Sequence, residues 1–340
     1  MTRPVSPGMK SSPMSGERES VKLALPKMHG LFRTIPTGFA LPLALLGICA
    51  LFTMIQPVFL TPSNLISIAY QVAIIGVMAV CMTFVMMTGG IDLSVGPVLA
   101  ISGVAAANIL LATGGSIALA LGGALALSAL IGLANGLCVA WLALPPIVVT
   151  LASLSIVRGA ALLTAGPELV LIRGPEPFLF IGSGLVGTIP FSVFIFAATA
   201  CLAVLVQYRS VFGLSVLAVG DNERAAGLSG HNVRLVKTMT YVICALGAGI
   251  AGIIQASQVH TAASTYGNGI ELDVIAAVVL GGTSLTGGRG SIFRTIAGVF
   301  LIGVMNNGLR LINMPIDMLL IAKGLIIILA LASGQSRERK

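Results

Sequence analysis

The sequence predicts an all-α fold, a polytopic membrane bundle of about ten transmembrane helices, from its composition, its hydropathy and its long apolar runs. Of its 340 residues, 56% are hydrophobic and only 9% are charged, and the mean hydropathy is +1.04. A soluble domain carries about 25% charged residues, so most of this surface must face lipid. The apolar runs are unbroken, whereas barrel strands alternate over about ten residues, and helices satisfy their own backbone hydrogen bonds in lipid.

Ten apolar runs account for the predicted helices. A spanning helix needs about 20 predominantly apolar residues, and most runs approach or exceed that length. The third run is short and the eighth is rich in glycine. The runs cover residues 37–60, 65–88, 95–112, 116–141, 147–164, 189–206, 238–257, 272–288, 293–312 and 315–333.

Basic residues predict the orientation in the membrane. Most of the 19 Lys and Arg residues fall in the two tails, in the loop 207–237 and in the turn 289–294, all on one side. The long loop 165–188 on the other side carries one basic residue, Arg173. Cytoplasmic segments are enriched in Lys and Arg, so both the N and C termini are predicted to lie in the cytoplasm.

The predicted domain organisation follows from these segments. Residues 1–35 form a basic, partly disordered cytoplasmic tail without a signal-peptide pattern. Residues 36–333 form the membrane domain, which includes the cytoplasmic loop 207–237. Residues 334–340 form a second cytoplasmic tail.

Composition and motifs disfavour several classes of function. The net charge is +8, but the basic residues lie at the ends of apolar runs without a groove-reading motif, so we expect no nucleic-acid partner. Five cysteines in five separate runs indicate neither a metal site nor a disulfide framework. No Gly-x-x-x-x-Gly-Lys-Ser/Thr phosphate loop and no paired nucleophile and base occur. We therefore expect no catalytic residue, metal or cofactor in this chain.

Two glycine motifs share a pattern. Residues 89–96 follow the second run and residues 281–288 close the eighth, with four identical positions between them. The match reflects either an internal repeat or chance in a glycine-rich chain. Glycine lets the backbone leave the helix where freed polar groups face a cavity, so Gly89 and Gly90 are candidate residues of a path through the membrane.

Glycines also predict a close helix contact. Gly132 and Gly136 lie four residues apart in the fourth run. Small residues at this spacing let two helix backbones approach, so this run should pack tightly against a neighbouring helix.

Polar side chains inside apolar runs are costly in lipid and mark candidate functional positions. Asp92, beside Ser94, either lines the path and accepts hydrogen bonds from hydroxyl groups or caps a helix that starts near Ser94. Asn306 and Asn307 either face the solute or hydrogen-bond between helices. Arg158 either lines the path or pairs within the bundle. Asp92, Ser94 and the two asparagines are the candidate pathway residues.

A short helix is predicted in the cytoplasmic loop after Gly220. Asp221 or Asn222 can cap its start, and Glu223 in the first turn suits the helix macrodipole. Gly230 can end it. Because so short a helix is marginal by itself, a partner surface should hold it.

The same helix carries side chains suited to a partner. Ala225 and Ala226 permit close approach, and Leu228 offers an apolar anchor. An ordinary loop between two spanning helices stays open as the alternative.

Three motifs, in this order along the chain, resemble those of the ribose, xylose and autoinducer-2 type of permease in ATP-binding cassette (ABC) importers, part of the branched-chain amino acid and sugar permease superfamily. They are residues 89–96, 220–230 and 271–285, followed by Gly-Gly-Arg-Gly-Ser at 287–291. The resemblance runs from about residue 37 to residue 333. One position departs from the importers' Glu-Ala-Ala-x-x-x-Gly pattern, because Arg224 stands where Glu is usual.

The resemblance implies a permease subunit that forms the translocation pathway for a sugar or a similar small polar solute and performs no chemistry. ATP and Mg would bind to a separate ABC ATP-binding subunit. The loop that couples to this ATPase would use Gly220, Asp221, Asn222, Glu223, Ala225, Ala226 and Gly230.

The resemblance also implies further partners and a location. A periplasmic solute-binding protein would deliver substrate, and Glu271 and Asp273, at the outer end of the eighth run, would meet the binding protein or the arriving substrate. Helix capping explains Asp273 as well. A second permease copy or a paralogue would complete a dimer in the bacterial inner membrane, surrounded by membrane lipid.

An ion-coupled secondary transporter is the alternative function. Such transporters also use broken helices near the substrate site. That alternative requires a titratable carboxylate within the membrane, and Asp92 is the candidate.

Overall fold

The structure is a computed structural model that describes residues 40–166, 169–315, 317–321 and 324–325. The predicted tails at 1–35 and 334–340 lie outside the described residues, as does most of the tenth apolar run.

The described chain is a helical bundle with very little sheet. A short 3₁₀ helix at Pro57–Leu60 follows the first α-helix. The α-helices are α1 Ala40–Ile55, α2 Pro62–Met87, α3 Val95–Ala112, α4 Ile117–Ala140, α5 Pro146–Ala165, α6 Glu176–Ser183, α7 Phe191–Arg209, α8 Val211–Asp221, α9 Glu223–Leu228, α10 Val233–Val259, α11 Ile270–Leu280 and α12 Ile292–Leu311.

Residues 317–321 and 324–325, in the tenth apolar run, are also helical, and four two-residue strands are present. They form two antiparallel pairs, β1 with β4 and β2 with β3. The strands are β1 Val170–Leu171, β2 Leu185–Val186, β3 Ile189–Pro190 and β4 Thr261–Ala262.

The predicted class of fold, a helical membrane bundle, is confirmed. Within the described residues, seven helices are long and apolar enough to cross a membrane, namely α2, α3, α4, α5, α7, α10 and α12. Helix α1 is shorter, with 16 residues, and α11 has 11. The eighth apolar run, 272–288, is therefore only partly helical: α11 ends at Leu280, and Gly282 adopts a φ of +80°.

Two helices appear that neither the apolar runs nor the motifs predicted. Helix α6 lies in the loop 165–188, and α8 lies in the loop 207–237. With 8 and 11 residues, they are shorter than a membrane span and leave no long apolar run in the sequence.

Proline and asparagine explain several helix starts. Pro62 and Pro146 occupy the first position of α2 and α5, where the missing N–H costs no intrahelical hydrogen bond. Asn232 caps α10, because its side chain accepts a hydrogen bond from the Leu235 N–H at 3.1 Å.

Helix α10 lies at the centre of the packing and contacts α2, α3 and α4. The predicted close contact of α4 is confirmed here. A Cβ placed on Gly132 would lie 2.6 Å from the Tyr241 carbonyl oxygen, and one on Gly136 would lie 2.7 Å from the Thr238 Cα. Both positions therefore need glycine for α4 and α10 to approach this closely.

Candidate functional site

The turn between α2 and α3 holds Asp92 and Ser94 in a buried hydrogen-bonded group. Asp92 Oδ1 accepts from the Ser94 backbone N–H at 2.9 Å and from the Ser94 hydroxyl at 2.6 Å. Ser94 Oγ in turn accepts from Asn135 Nδ2 of α4 at 3.0 Å. Asp92 and Ser94 are both fully buried within the chain.

This geometry bears on the two interpretations of Asp92. Ser94, not Asp92, is the residue that precedes the first residue of α3, and its own side chain makes no capping hydrogen bond to the helix. Asp92, three residues before the first residue of α3, instead closes the preceding turn by accepting a hydrogen bond from the Ser94 N–H. The carboxylate thus fixes the approach to α3 and the position of Ser94.

The two glycine motifs found in the sequence meet in the structure. Gly89 has a φ of +78°, and a Cβ there would lie 3.2 Å from the Thr286 carbonyl oxygen. The Gly288 N–H donates to the Met87 carbonyl oxygen at 2.9 Å. The turn after α2 and the loop between α11 and α12 are therefore in backbone contact.

The short helix predicted after Gly220 is present as α9. Of the two proposed caps, Asn222 makes the bond: its Oδ1 accepts from the Ala225 N–H at 3.0 Å. Glu223 in the first turn pairs with Lys237 of α10 at 2.6 Å. Gly230 follows with a φ of +91°, a left-handed conformation that favours glycine.

The two faces of α9 differ. Ala226 is buried as part of the hydrophobic core, whereas Ala225 is exposed. The Leu228 side chain has an exposed fraction of 92%. So large an apolar side chain in such an exposed position is available to a partner surface.

An open cavity of about 370 Å³ lies beside this loop. Gly220 and Asp221 contribute to it from the end of α8. The other side comes from the loop between α11 and α12, through Ser284, Thr286, Gly287 and Arg289. The predicted coupling loop and the second glycine motif therefore share one surface.

Asn306 and Asn307 both form hydrogen bonds between helices. Asn306 Nδ2 donates to Asp273 Oδ2 of α11 at 3.1 Å. Asn307 and Asn64 of α2 exchange two hydrogen bonds, at 3.0 and 2.8 Å. These contacts correspond to the interhelical interpretation of the two asparagines.

Glu271 and Asp273 lie in the first turn of α11, as acidic residues at a helix start commonly do. Glu271 packs against the start of α3, where a Cβ on Gly96 would lie 2.5 Å from its Oε2. Arg158 of α5 donates to the backbone carbonyl oxygens of Ser264 and, at 2.9 Å, Tyr266, in the segment before α11. Arg158 therefore pairs within the bundle in this structure.

Sequence reasoning missed three polar residues of this arrangement, Asn64, Asn135 and Gln207. Each is a buried amide within an apolar helix, and that polarity was the signal that could have found them. Among the residues that the structure describes, no group of three or more His, Cys, Asp or Glu side chains could hold a metal ion.

Comparisons with known proteins find similarity to permease proteins over most of the chain. The family model described as branched-chain amino acid transport system / permease component matches residues 64–331. The ribose import permease protein of Bacillus subtilis (strain 168) is 38% identical over 297 residues, which cover 87% of this chain and 92% of that protein.

Two further relatives come from Escherichia coli (strain K12). Its ribose import permease protein is 36% identical over 306 residues, covering 87% of this chain and 93% of the relative. Its galactofuranose transporter permease protein is 37% identical over 311 residues, which cover 89% of this chain and 91% of that protein. None of the solved structures matches this chain.

Proposed function

The chain belongs to the branched-chain amino acid transport system / permease component family, and from that premise we propose that it is the membrane-spanning permease subunit of an ATP-driven sugar importer. It is a multi-pass inner-membrane protein and a transport subunit, and ATP hydrolysis belongs to a separate chain. The observation that carries the proposal is similarity to sugar permeases over 87% of this chain, at 38% identity in the Bacillus subtilis relative.

The proposed substrate is a sugar or a similar small polar solute. The relatives are named for ribose, L-arabinose and galactofuranose. Few charged residues interrupt the apolar runs, and a path lined by such helices suits a neutral polar solute better than an ion. None of these relatives supports the ion-coupled alternative.

Coupling to the ATPase is proposed to run through α9 and the residues beside it. The seven residues are Gly220, Asp221, Asn222, Glu223, Ala225, Ala226 and Gly230. The cap at Asn222 and the ion pair of Glu223 support this role, because they hold a six-residue helix in place while its outer face stays exposed. The ATPase would hold ATP and Mg.

The proposed pathway role of Gly89, Gly90, Asp92 and Ser94 is to shape the turn that borders the path. Gly90, Asp92 and Ser94 are buried, which supports a role in fixing the backbone rather than in touching solute, whereas Gly89 is exposed. We propose the same for Asn306 and Asn307, whose amides join α12 to α11 and α2. Glu271 and Asp273 are proposed to lie where the binding protein delivers substrate.

The full topology is also a proposal, with ten spanning helices and both termini in the cytoplasm. In addition to the seven long helices, α1, α11 and the run at 315–333 would complete the count. The distribution of Lys and Arg supports the orientation. A second permease copy or a paralogue would complete the pathway, and apolar exposed faces on α4, α5 and α7 offer surface to it and to lipid.

Reconstitution tests the function. The chain is co-expressed with its ATPase and periplasmic binding protein, purified by a tag on the permease, and placed in vesicles. We expect both partners to co-purify or stimulate transport, and vanadate to stop the uptake of labelled pentoses or hexoses. Uptake that continues without the ATPase and collapses with an uncoupler would overturn the proposal in favour of ion coupling.

A further inference from the structure

Gln207, in the last turn of α7, joins that helix to the start of α12. Its Nε2 donates to the Gly290 carbonyl oxygen at 3.0 Å, and its Oε1 accepts from the Ile292 N–H at 3.0 Å. Ile292 is the first residue of α12, so its N–H has no acceptor within its own helix. The same amide lies 4.0 Å from Met87 Sδ, at the end of α2. The side chain is buried.

Gly220, near the end of α8, provides a second connection between the same segments. A Cβ at this position would overlap the Met87 carbonyl oxygen and would lie 2.5 Å from the Gly288 N. These two backbone atoms are already bonded to each other, since the Gly288 N–H donates to the Met87 oxygen. Backbone atoms cannot rotate out of the way as side chains can, so only glycine fits at position 220.

One connection lies just before α8 and the other in the last turn of α8, and α9 follows directly. Gln207 precedes α8, and Gly220 lies three residues before Glu223, the first residue of α9. The segment that leads into α9 is thus fixed to the 284–292 loop at two points. That loop contacts Gly89 through Thr286, and Gly89 belongs to the turn that contains Asp92.

We propose that Gln207 and Gly220 are positioning residues of a relay that transmits movement of α9 to the 284–292 loop and, through it, to the turn at 87–94. This inference rests on the proposed function, in which α9 is moved by the ATPase. Helix α9 follows α8 after the single residue Asn222 and packs against α8, so a movement of α9 that carries the end of α8 with it also displaces the contacts of Gly220 and Gln207. Neither residue needs to touch ATP, the ATPase or the solute.

The first test removes the hydrogen bonds of Gln207 and keeps its shape. Gln207→Met is compared with Gln71→Met in α2, whose side chain donates only to the Ser67 carbonyl oxygen of its own helix, at 3.3 Å. The full complex is reconstituted, and sugar uptake and ATP hydrolysis are measured in the same vesicles. We expect Gln207→Met to retain its ATPase subunit and to transport about tenfold less sugar per ATP hydrolysed, with Gln71→Met unchanged.

The second test adds a methyl group at position 220 instead of removing hydrogen bonds. Gly220→Ala places a methyl group against the Met87 carbonyl oxygen, whereas Gly122→Ala places one in α4 with no heavy atom within 4 Å. Gly220→Ala should lower the ratio of sugar transported to ATP hydrolysed by about tenfold, and Gly122→Ala should leave that ratio unchanged.

The ratio of transport to hydrolysis separates a relay from simple packing. A packing role lowers uptake and hydrolysis together, and an unchanged ratio in both Gln207→Met and Gly220→Ala would overturn the inference. Loss of the ATPase from both variants during purification would also overturn it, because the effect would then lie in docking. The ATP dependence of uptake by the unmodified complex is measured first. If that uptake needs no ATP, the proposed function itself fails, independently of the variants.

Discussion

The side-chain amides of Asn64 and Asn307 form two reciprocal hydrogen bonds, at 3.0 and 2.8 Å, that join α2 to α12. Both side chains are buried, and Asn64 also donates to the Phe59 carbonyl oxygen at 2.8 Å. Two apolar helices in lipid gain little from hydrophobic burial against each other, so a paired amide contributes to both the affinity and the register of their contact.

Replacing both of these amides should cost less than the sum of the two single replacements. Asn307→Leu leaves the Asn64 side chain without its partner, and we expect the free energy of unfolding to fall by about 1–2 kcal/mol. In a protein that already carries Asn307→Leu, Asn64→Leu should lower the free energy of unfolding by about 1 kcal/mol less than it does in the unmodified protein. Unfolding by sodium dodecyl sulfate gives the free energy of unfolding of the unmodified protein, the two single variants and the double variant. Additive single and double variants would mean that the pair contributes no coupling.

The contact of α4 with α10 predicts that the effect of a Gly→Ala substitution on stability differs strongly between positions in α4. Gly132→Ala forces a methyl group to within 2.6 Å of the Tyr241 carbonyl oxygen, and we expect destabilisation by about 1–3 kcal/mol. Gly122→Ala in the same helix meets no heavy atom within 4 Å and should be neutral or stabilising by less than about 1 kcal/mol. Thermal unfolding in detergent checks both, and equal shifts would contradict the close contact.

Much of the helical fold could be predicted from the sequence, because lipid selects long apolar runs and because proline and glycine mark where they begin and end. The predicted run 65–88 nearly coincides with α2 Pro62–Met87, whereas the run 272–288 extends eight residues past the end of α11 at Leu280. Helices α6 and α8 were missed because neither is long enough to leave a spanning run. Their stability comes from tertiary contacts that a local pattern does not contain.

The kinds of residue that form the site could be predicted from the sequence, but the contacts between them could be predicted only in part. The cap of α9 was narrowed to Asp221 or Asn222, because both side chains offer a suitable oxygen at adjacent positions. The structure selects Asn222. The contact of Gly220 with Met87 and Gly288 could not be predicted, since it depends on how three distant backbone segments pack.

Substitutions of Asp92 distinguish a turn-forming carboxylate from an ion-coupling one. Asp92→Asn keeps an oxygen that can accept from the Ser94 N–H and hydroxyl, so we expect uptake within about threefold of the unmodified protein. Asp92→Ala removes the acceptor and should lower uptake by about tenfold or more. Vesicle uptake at constant protein level is the measurement. Complete loss with Asp92→Asn would indicate that the charge itself is required, as ion coupling demands.

Removing the cap of α9 should weaken the complex with the ATPase. Asn222→Ala loses the 3.0 Å bond to the Ala225 N–H, which costs the helix about 1 kcal/mol, and we expect affinity for the ATPase to fall about fivefold. Asn222→Asp should restore the affinity, because aspartate caps equally well. Asn232→Ala, which removes the cap of the much longer α10, is the matched control and should leave affinity unchanged. An aspartate variant as weak as the alanine variant would show that capping is not the cause.

Leu228 should anchor the ATPase without contributing to the stability of the permease. Its exposed fraction is 92%, so Leu228→Ser removes almost no contact within the chain, and the unfolding temperature of the isolated permease should not change. Burial of this side chain in a partner would be lost, and affinity for the ATPase should fall about tenfold. Leu163→Ser is the control, because Leu163 of α5 is 88% exposed on a different helix and should leave affinity intact. If both serine variants bind the ATPase as well as the unmodified chain does, α9 does not use this side chain for docking. If both lose affinity equally, the effect comes from altered insertion in the membrane rather than from a specific anchor.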